Sequence, residues 1–397
     1  MRVLVWFRTL SSPTFLAFVI ALYLVVSLSL FLAWPPPMID EALFGSTAKT
    51  LLDQGHMGTP LVRGLESRVY WQPPVYFITL VPVISAGGYN AAALRAFSIF
   101  VGAGILAVVF LLGTQFANVE AARVATLLLA CDPLFVNNVK FARMDGLCML
   151  FMMLGLVVFL KSGSGTKPLL TLLAGLLVAL AALTHPFGIV AAIVVTVYIL
   201  VQPDVMARVR IKHLAVFLFP LFVGMVLWGV YVSQDVPGFL LQMRYQWGRK
   251  DRPLVVAVAN AVRQYRHVPL SLVFPLAGLI FLIPHAFRQW GKETLLALFL
   301  LLIMAVTISK FENPYHVYIA PVGAIAVGML LVDLWNRGSG MRRRVALLSV
   351  GVFLLNSALV FSYLNYLFHV RIAAVTDYNQ FCEAVSSRIP PGARMCG

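Results

Sequence analysis

Charge is scarce in this sequence. Only 11% of its 397 residues are Asp, Glu, Lys or Arg, and only 15 are acids. Soluble domains carry about 25% charged residues, so a soluble globular fold is excluded. Cysteine is scarcer still. Cys131 and Cys148 fall in or beside apolar segments, Cys382 and Cys396 lie near the end of the chain, and the four show no metal-ligand spacing. There is no P-loop, no Rossmann glycine pattern and no zinc-protease motif, so no nucleotide site is legible. Internal repeats and low-complexity linkers are also missing, and the lack of two-half symmetry speaks against the common transporter plans.

Apolar residues are what is abundant: 61% of the chain, with a mean hydropathy of +0.90. After a first run at 11–34, others follow at 92–115, 121–138, 147–160, 168–184, 187–201, 214–232, 269–284, 294–309, 316–335 and 345–367. They suit repeated crossings of a roughly 30 Å hydrocarbon core. The first is too long for a signal peptide and is followed by no small-residue cleavage site, so it reads as a retained helix. The formal charge of +15 is not a nucleic-acid signal, because the basic residues sit in short loops, where they set orientation.

Residues 73–88 are short, open on two prolines and are interrupted by Pro82, which suits an interfacial or re-entrant piece. If they do not cross, Arg2, Arg8, Arg123, Lys161, Lys167, Arg208, Arg210, Lys212, Arg288, Lys292, Arg337 and Arg342 to Arg344 share one face, the pattern of positive-inside loops. The expected architecture is an all-α polytopic membrane protein with about 11 spans and juxtamembrane amphipathic helices in the first external loop. Its N-terminus is cytoplasmic and its C-terminus external; residues 1–368 form the membrane domain and 369–397 a short tail. Cys382 and Cys396 then lie on the oxidising side, which permits a disulfide.

This topology places loop 35–91, turn 139–146, loop 233–268 and turn 310–315 on the external face. Loop 233–268 breaks the orientation rule, with Arg244, Arg249, Lys250, Arg252, Arg263 and Arg266 against Asp235 and Asp251. A basic external loop suggests an anionic ligand; a solvated loop touching lipid headgroups is the plain alternative.

Residues 9–39 carry no charge, and then Asp40 and Glu41 arrive together. Residues 41–53 read as an amphipathic helix with Gly55 beyond its end. Asp40 has a structural use as the N-cap and Glu41 as an acid near the positive helix end. Its functional use is as a base that deprotonates an acceptor at the water–lipid boundary. Arg143 and Asp145, in "ARMDG", reach the same face; residues two apart do not pair on a helix, so Asp145 is expected to cap and Arg143 to snorkel. Tyr70, Trp71 and Tyr76 suit aromatic anchoring. Lys310, Tyr315, His316 and Tyr318, in "SKFENPYHVYIAP", offer donors for phosphate oxygens, or anchors. His185 reads as a plain helix-end histidine.

The order of these features resembles the membrane-embedded C-type glycosyltransferases, in the branch of protein O-mannosyltransferases and lipid A aminoarabinose transferases. The features are an acidic pair after the first span, an amphipathic external helix, an aromatic-X-Pro-Pro segment, an Arg-X-Asp turn and a late "SK…Y…P" helix start, and the resemblance covers residues 1–370. It implies transfer of a sugar from a polyprenyl-phosphate carrier to an acceptor on the outer face, usually with inversion. Its catalytic acids fall on Asp40, with Glu41 beside it, and on Asp145 next to Arg143. Its phosphate contacts fall on Lys310 and Tyr315, with His316, Arg249, Arg252 and Gln72 as further candidates. Gln72 stands where the family often has lysine, and Trp71 where some members have a metal-binding glutamate. No metal is expected there, and no cofactor is implied, although a divalent cation elsewhere stays open.

The expected function is therefore a polyprenyl-phosphate-sugar glycosyltransferase of the bacterial inner membrane, with a protein, lipid or glycan as acceptor and no nucleic-acid partner. A transporter or flippase of a lipid-linked anionic glycan is the alternative. It would carry charges inside spans near the midplane, whereas the acids here gather at helix ends.

Overall fold

Each apolar run becomes helix, because a chain in hydrocarbon must satisfy its backbone N–H and C=O groups internally. The structure, a computed structural model, describes residues 10–29, 38–163, 167–201, 206–250, 253–266, 268–288, 291–309, 315–337 and 340–371, and among them there is no strand. In chain order the helices are α1 (Ser12–Ser29), α2 (Ile39–Gln54), α3 (Val75–Gly87), α4 (Ala91–Phe116), α5 (Val119–Ala130), α6 (Pro133–Lys140), α7 (Met144–Lys161) and α8 (Pro168–Ala182). A short 3₁₀ turn (Pro186–Gly188) leads into α9 (Ile189–Val201). Then come α10 (Ala207–Val232), α11 (Val236–Lys250), α12 (Leu254–Tyr265), α13 (Leu270–Arg288), α14 (Lys292–Ser309), α15 (His316–Arg337) and α16 (Gly340–Arg371).

Among the described residues 6 helices are long and apolar enough to cross a membrane: α4, α7, the rod of α10 and α11, α14, α15 and α16. Shorter apolar helices include α1, α3, α8, α9 and α13. The chain is a multi-pass membrane protein. With 13 residues, α3 is about 20 Å long at 1.5 Å per residue, too short to cross a 30 Å core upright.

Two expectations change. The run 121–138 is not one helix: Asp132 accepts the N–H groups of Leu134 and Phe135 and Pro133 follows it, so a new helix, α6, starts there. Residues 233–268 are not a loop but chiefly the helices α11 and α12, and α10 runs on into α11 as a rod of 42 residues. At about 63 Å this rod outruns the bilayer. Its far part clamps the segment between α2 and α3, where Gln242 accepts the Tyr70 N–H at 2.7 Å and donates to the Arg68 carbonyl at 3.0 Å.

Burial separates a centre from a rim. In α4, α7 and α15, 61%, 67% and 72% of the apolar window is buried, against 17% in α10 and α16. The central helices pack closely through small residues: a Cβ added at Gly328 of α15 would stand 2.6 Å from the Ala121 carbonyl oxygen of α5. The rim helices present side chains such as Phe222, Leu227 and Leu348 outward, as a lipid-facing surface requires.

Candidate active site

The site is built where the N-terminus of α2 meets α4 and the turn between α6 and α7. Met38 is the N-cap of α2 and has no polar side chain to offer, so Glu41, at the third helical position, reaches back and accepts the Met38 N–H at 2.9 Å. Asp40 is therefore inside the helix, and the expected capping role is not the one it has.

Glu41 is fully buried. Its Oε1 accepts from Arg95 Nε at 2.9 Å and from the Ala142 N–H at 3.0 Å, and its Oε2 accepts from Arg95 Nη2 at 2.6 Å. With Met38, each oxygen receives two hydrogen bonds. A bidentate arginine and two backbone donors are what a carboxylate without water needs. The result is a clamp joining α2, α4 and the α6–α7 turn.

Asp40 is neighbour to this clamp but about 100° around the helix. Its side chain is 24% exposed, and Oδ2 accepts from Arg143 Nη1. Arg143 also donates through Nε to Asp145 Oδ2 at 2.8 Å, so one guanidinium bridges the two acids. That pair was not expected, because residues two apart diverge on a helix. Arg143 is instead the N-cap of α7, with extended backbone (φ −123°, ψ 154°), and Asp145 lies in the first turn rather than at the cap. Arg143 is buried, its guanidinium 5.9 Å from the Phe44 ring.

Beneath these charges lies a layer of buried polar groups. Tyr76 OH, Tyr318 OH, Gln72 Oε1 and Asp145 Oδ1 have no hydrogen-bond partner among the described residues. Burial, with Glu41 and Asp145 nearby, pushes the Tyr76 phenol well above its ordinary pKa, so it stays a neutral donor. His185 lies beside this layer: its Nδ1 accepts the Phe187 N–H at 3.2 Å, as a helix-end histidine does, and its ring is 5.9 Å from Tyr318 and 6.0 Å from Tyr315.

His316 belongs to a separate buried network. Its Nε2 is 3.2 Å from Asp132 Oδ2, its Nδ1 is 2.8 Å from Tyr265 OH, and Ser271 donates to Asp132 Oδ1 at 3.2 Å. Because a carboxylate only accepts, Nε2 is the donor to Asp132. Lys310, Arg252, Cys382 and Cys396 lie outside the described residues, as do the side chain of Arg249 and the tail beyond 371.

The structure thus brings Asp40, Glu41, Arg143 and Asp145 together, with Tyr315 linked through the rings of Tyr318 and His185, Gln72 buried just before α3, and His316 in a separate network. It adds Arg95 and Lys140, which motif reading passed over. Arg95 had a signal: a charge at the fourth position of the apolar run 92–115 invites a functional explanation. Lys140, the last residue of α6, is 2% exposed, and burial followed by the charge of Arg95 pushes its pKa down to about 8. The negative end of a helix returns about 0.3–1 kcal/mol to such a cation, less than the several kcal/mol of desolvation.

Residues 14–243, more than half of the chain, match the dolichyl-phosphate-mannose-protein mannosyltransferase family. Comparison with curated proteins gives no match. In fold the chain is similar to the archaeal oligosaccharyltransferase AglB from Archaeoglobus fulgidus, in complex with an inhibitory peptide and a dolichol-phosphate. The TM-score is 0.60 at 14% identity, over 90% of this chain and 56% of that one. It is also similar to ArnT from Cupriavidus metallidurans bound to undecaprenyl phosphate, at a TM-score of 0.66 and 16% identity, over 90% of this chain and 78% of that one. The apo state of ArnT gives 0.65 and 17% over the same shares. The chain spans just over half the length of AglB. The shared fold is that of the C-type glycosyltransferases, and through its own sequence this chain belongs to the dolichyl-phosphate-mannose-protein mannosyltransferase family.

Proposed function

We propose that the protein transfers a sugar from a polyprenyl-phosphate carrier to an acceptor at the end of the bundle that holds Asp40. The observation that carries this reading is the contrast at the acidic pair: Glu41 has both oxygens occupied, whereas Asp40 is held by Arg143 at a partly open position. Asp40 is the general base, and Glu41 is a positioning residue. Asp145 and Arg143 orient Asp40 and the reacting groups.

The acceptor O–H gives its proton to the Asp40 carboxylate as its oxygen attacks the sugar C1. The C1–O bond to phosphate breaks, and its electron pair stays on the phosphate oxygen, so the carrier leaves as a phosphate monoester. A single displacement inverts C1. Charge grows on the phosphate as the bond breaks, and fixed cations near it lower that barrier. The described buried charges lie at or near helix ends, which suits this reading better than transport.

The setting we infer is a bacterial inner membrane with the site facing outward, the tail on the same side, and a protein, lipid or glycan as acceptor. Single cysteines replacing Gln54 and Asn90 are then both labelled from outside by an impermeant reagent; labelling of either from the cytoplasm overturns that orientation. The activity is tested with the purified protein, a panel of polyprenyl-phosphate sugars and mass spectrometry of candidate acceptors. A mass gain of one sugar, dependent on Asp40, is expected. No transfer from any lipid-linked donor would count against the reading.

A further inference from the structure

The charged groups of this site are matched except for one. Glu41 is paired with Arg95, and Asp40 and Asp145 share Arg143. Lys140 is just as deeply buried, yet among the described residues it makes no hydrogen bond or ion pair, and the charge acting on it is that of another cation, Arg95. Its place at the end of α6 offsets only part of the cost of burying it. A bound anion would relieve the rest.

The position says which anion. From Lys140 the chain turns through Phe141 to Ala142, whose N–H holds Glu41, and then to Arg143, which holds Asp40. The ammonium is therefore three residues from the guanidinium that holds the acid assigned as base, on a turn tied down at Ala142. An ammonium is a compact point charge suited to phosphate oxygens. We propose that Lys140 binds the phosphate of the lipid-borne donor and stays on it as the carrier leaves. This rests on the glycosyl-transfer reading.

The test measures binding rather than turnover. Full-length wild type, Lys140→Met and Lys140→Arg are titrated with a polyprenyl monophosphate, the matching polyprenol and inorganic phosphate. Lys140→Met is expected to weaken polyprenyl phosphate binding roughly 10-fold or more, the scale of one charge-assisted hydrogen bond. Lys140→Arg should weaken it less, polyprenol binding should not change, and the unfolding temperature of Lys140→Met should not fall. Equal affinity of wild type and Lys140→Met for polyprenyl phosphate overturns the proposal. So does a parallel loss of polyprenol binding or a drop in unfolding temperature, either of which marks Lys140 as structural. If wild type binds inorganic phosphate through Lys140 but no polyprenyl phosphate, an anion site exists and the glycosyl-transfer reading falls with the donor assignment. If wild type binds neither, both fall.

Discussion

Asp40 and Glu41 are consecutive, carry the same charge and start the same helix, yet the protein treats them as opposites. Glu41 points into the bundle, where it is fully buried and receives four hydrogen bonds. Asp40 stays partly exposed, with one arginine shared between it and Asp145. The difference teaches how such a site is held. A rigid, fully satisfied ion pair fixes the backbone of α2, and a less encumbered acid one residue away can then be aimed without being immobilised. In the proposed reaction, positioning and proton transfer are divided between these neighbours.

The strongest way to break this division is to uncouple the clamp. Glu41→Gln leaves the Arg95 guanidinium buried without its counter-charge and is expected to lose about 3–5 kcal/mol of stability. Arg95→Met should do the same, and the double variant should recover much of the loss, which thermal unfolding in detergent would show. Equal stability of wild type and Glu41→Gln would mean the clamp does not hold α2.

Asp40→Asn is expected to be milder in stability and severe in chemistry. The partly exposed pair with Arg143 contributes about 1 kcal/mol or less, whereas losing a general base lowers turnover roughly 100-fold. Near-normal transfer by a well-folded Asp40→Asn protein would remove Asp40 from the mechanism. Asp145→Asn comes next. It weakens one charge-assisted hydrogen bond to Arg143, about 1.5 kcal/mol or about tenfold in rate, and initial-rate kinetics should place it between wild type and Asp40→Asn. Tyr76→Phe is the smallest change. It removes a hydroxyl with no partner among the described residues, so stability should shift by less than about 0.5 kcal/mol, below a typical lost hydrogen bond. A raised KM with unchanged unfolding would assign that hydroxyl to substrate.

Much of the fold is legible residue by residue. The caps at Asn90 and Asn118 each accept an N–H three residues on, at 2.9 Å, and the αL glycine at Gly55 ends α2; such signals act within one helical turn. The split at Asp132–Pro133 was equally local, but the apolar run on both sides masked it. For the site, the positions of Asp40, Glu41 and Asp145 at helix starts could be read, but their partners could not. Arg95 is 54 residues from Glu41, and Arg143 is 103 from Asp40. A segment rich in arginine drew attention to 233–268, whereas the single arginine buried in α4 holds Glu41.

By itself the sequence determined that this chain is helical and membrane-embedded, because hydropathy and backbone satisfaction act locally and leave no other structure in hydrocarbon. It also determined that acids stand at helix starts beside proline-rich, aromatic segments. Only the tertiary structure decided which acid is closed and which is open. Neighbouring residues on a helix face directions about 100° apart, and what waits in each direction is brought there by α4 and the α6–α7 turn meeting the start of α2. The same packing leaves Lys140 buried with the charge of Arg95 acting on it, a condition set by distance in space rather than by spacing along the chain.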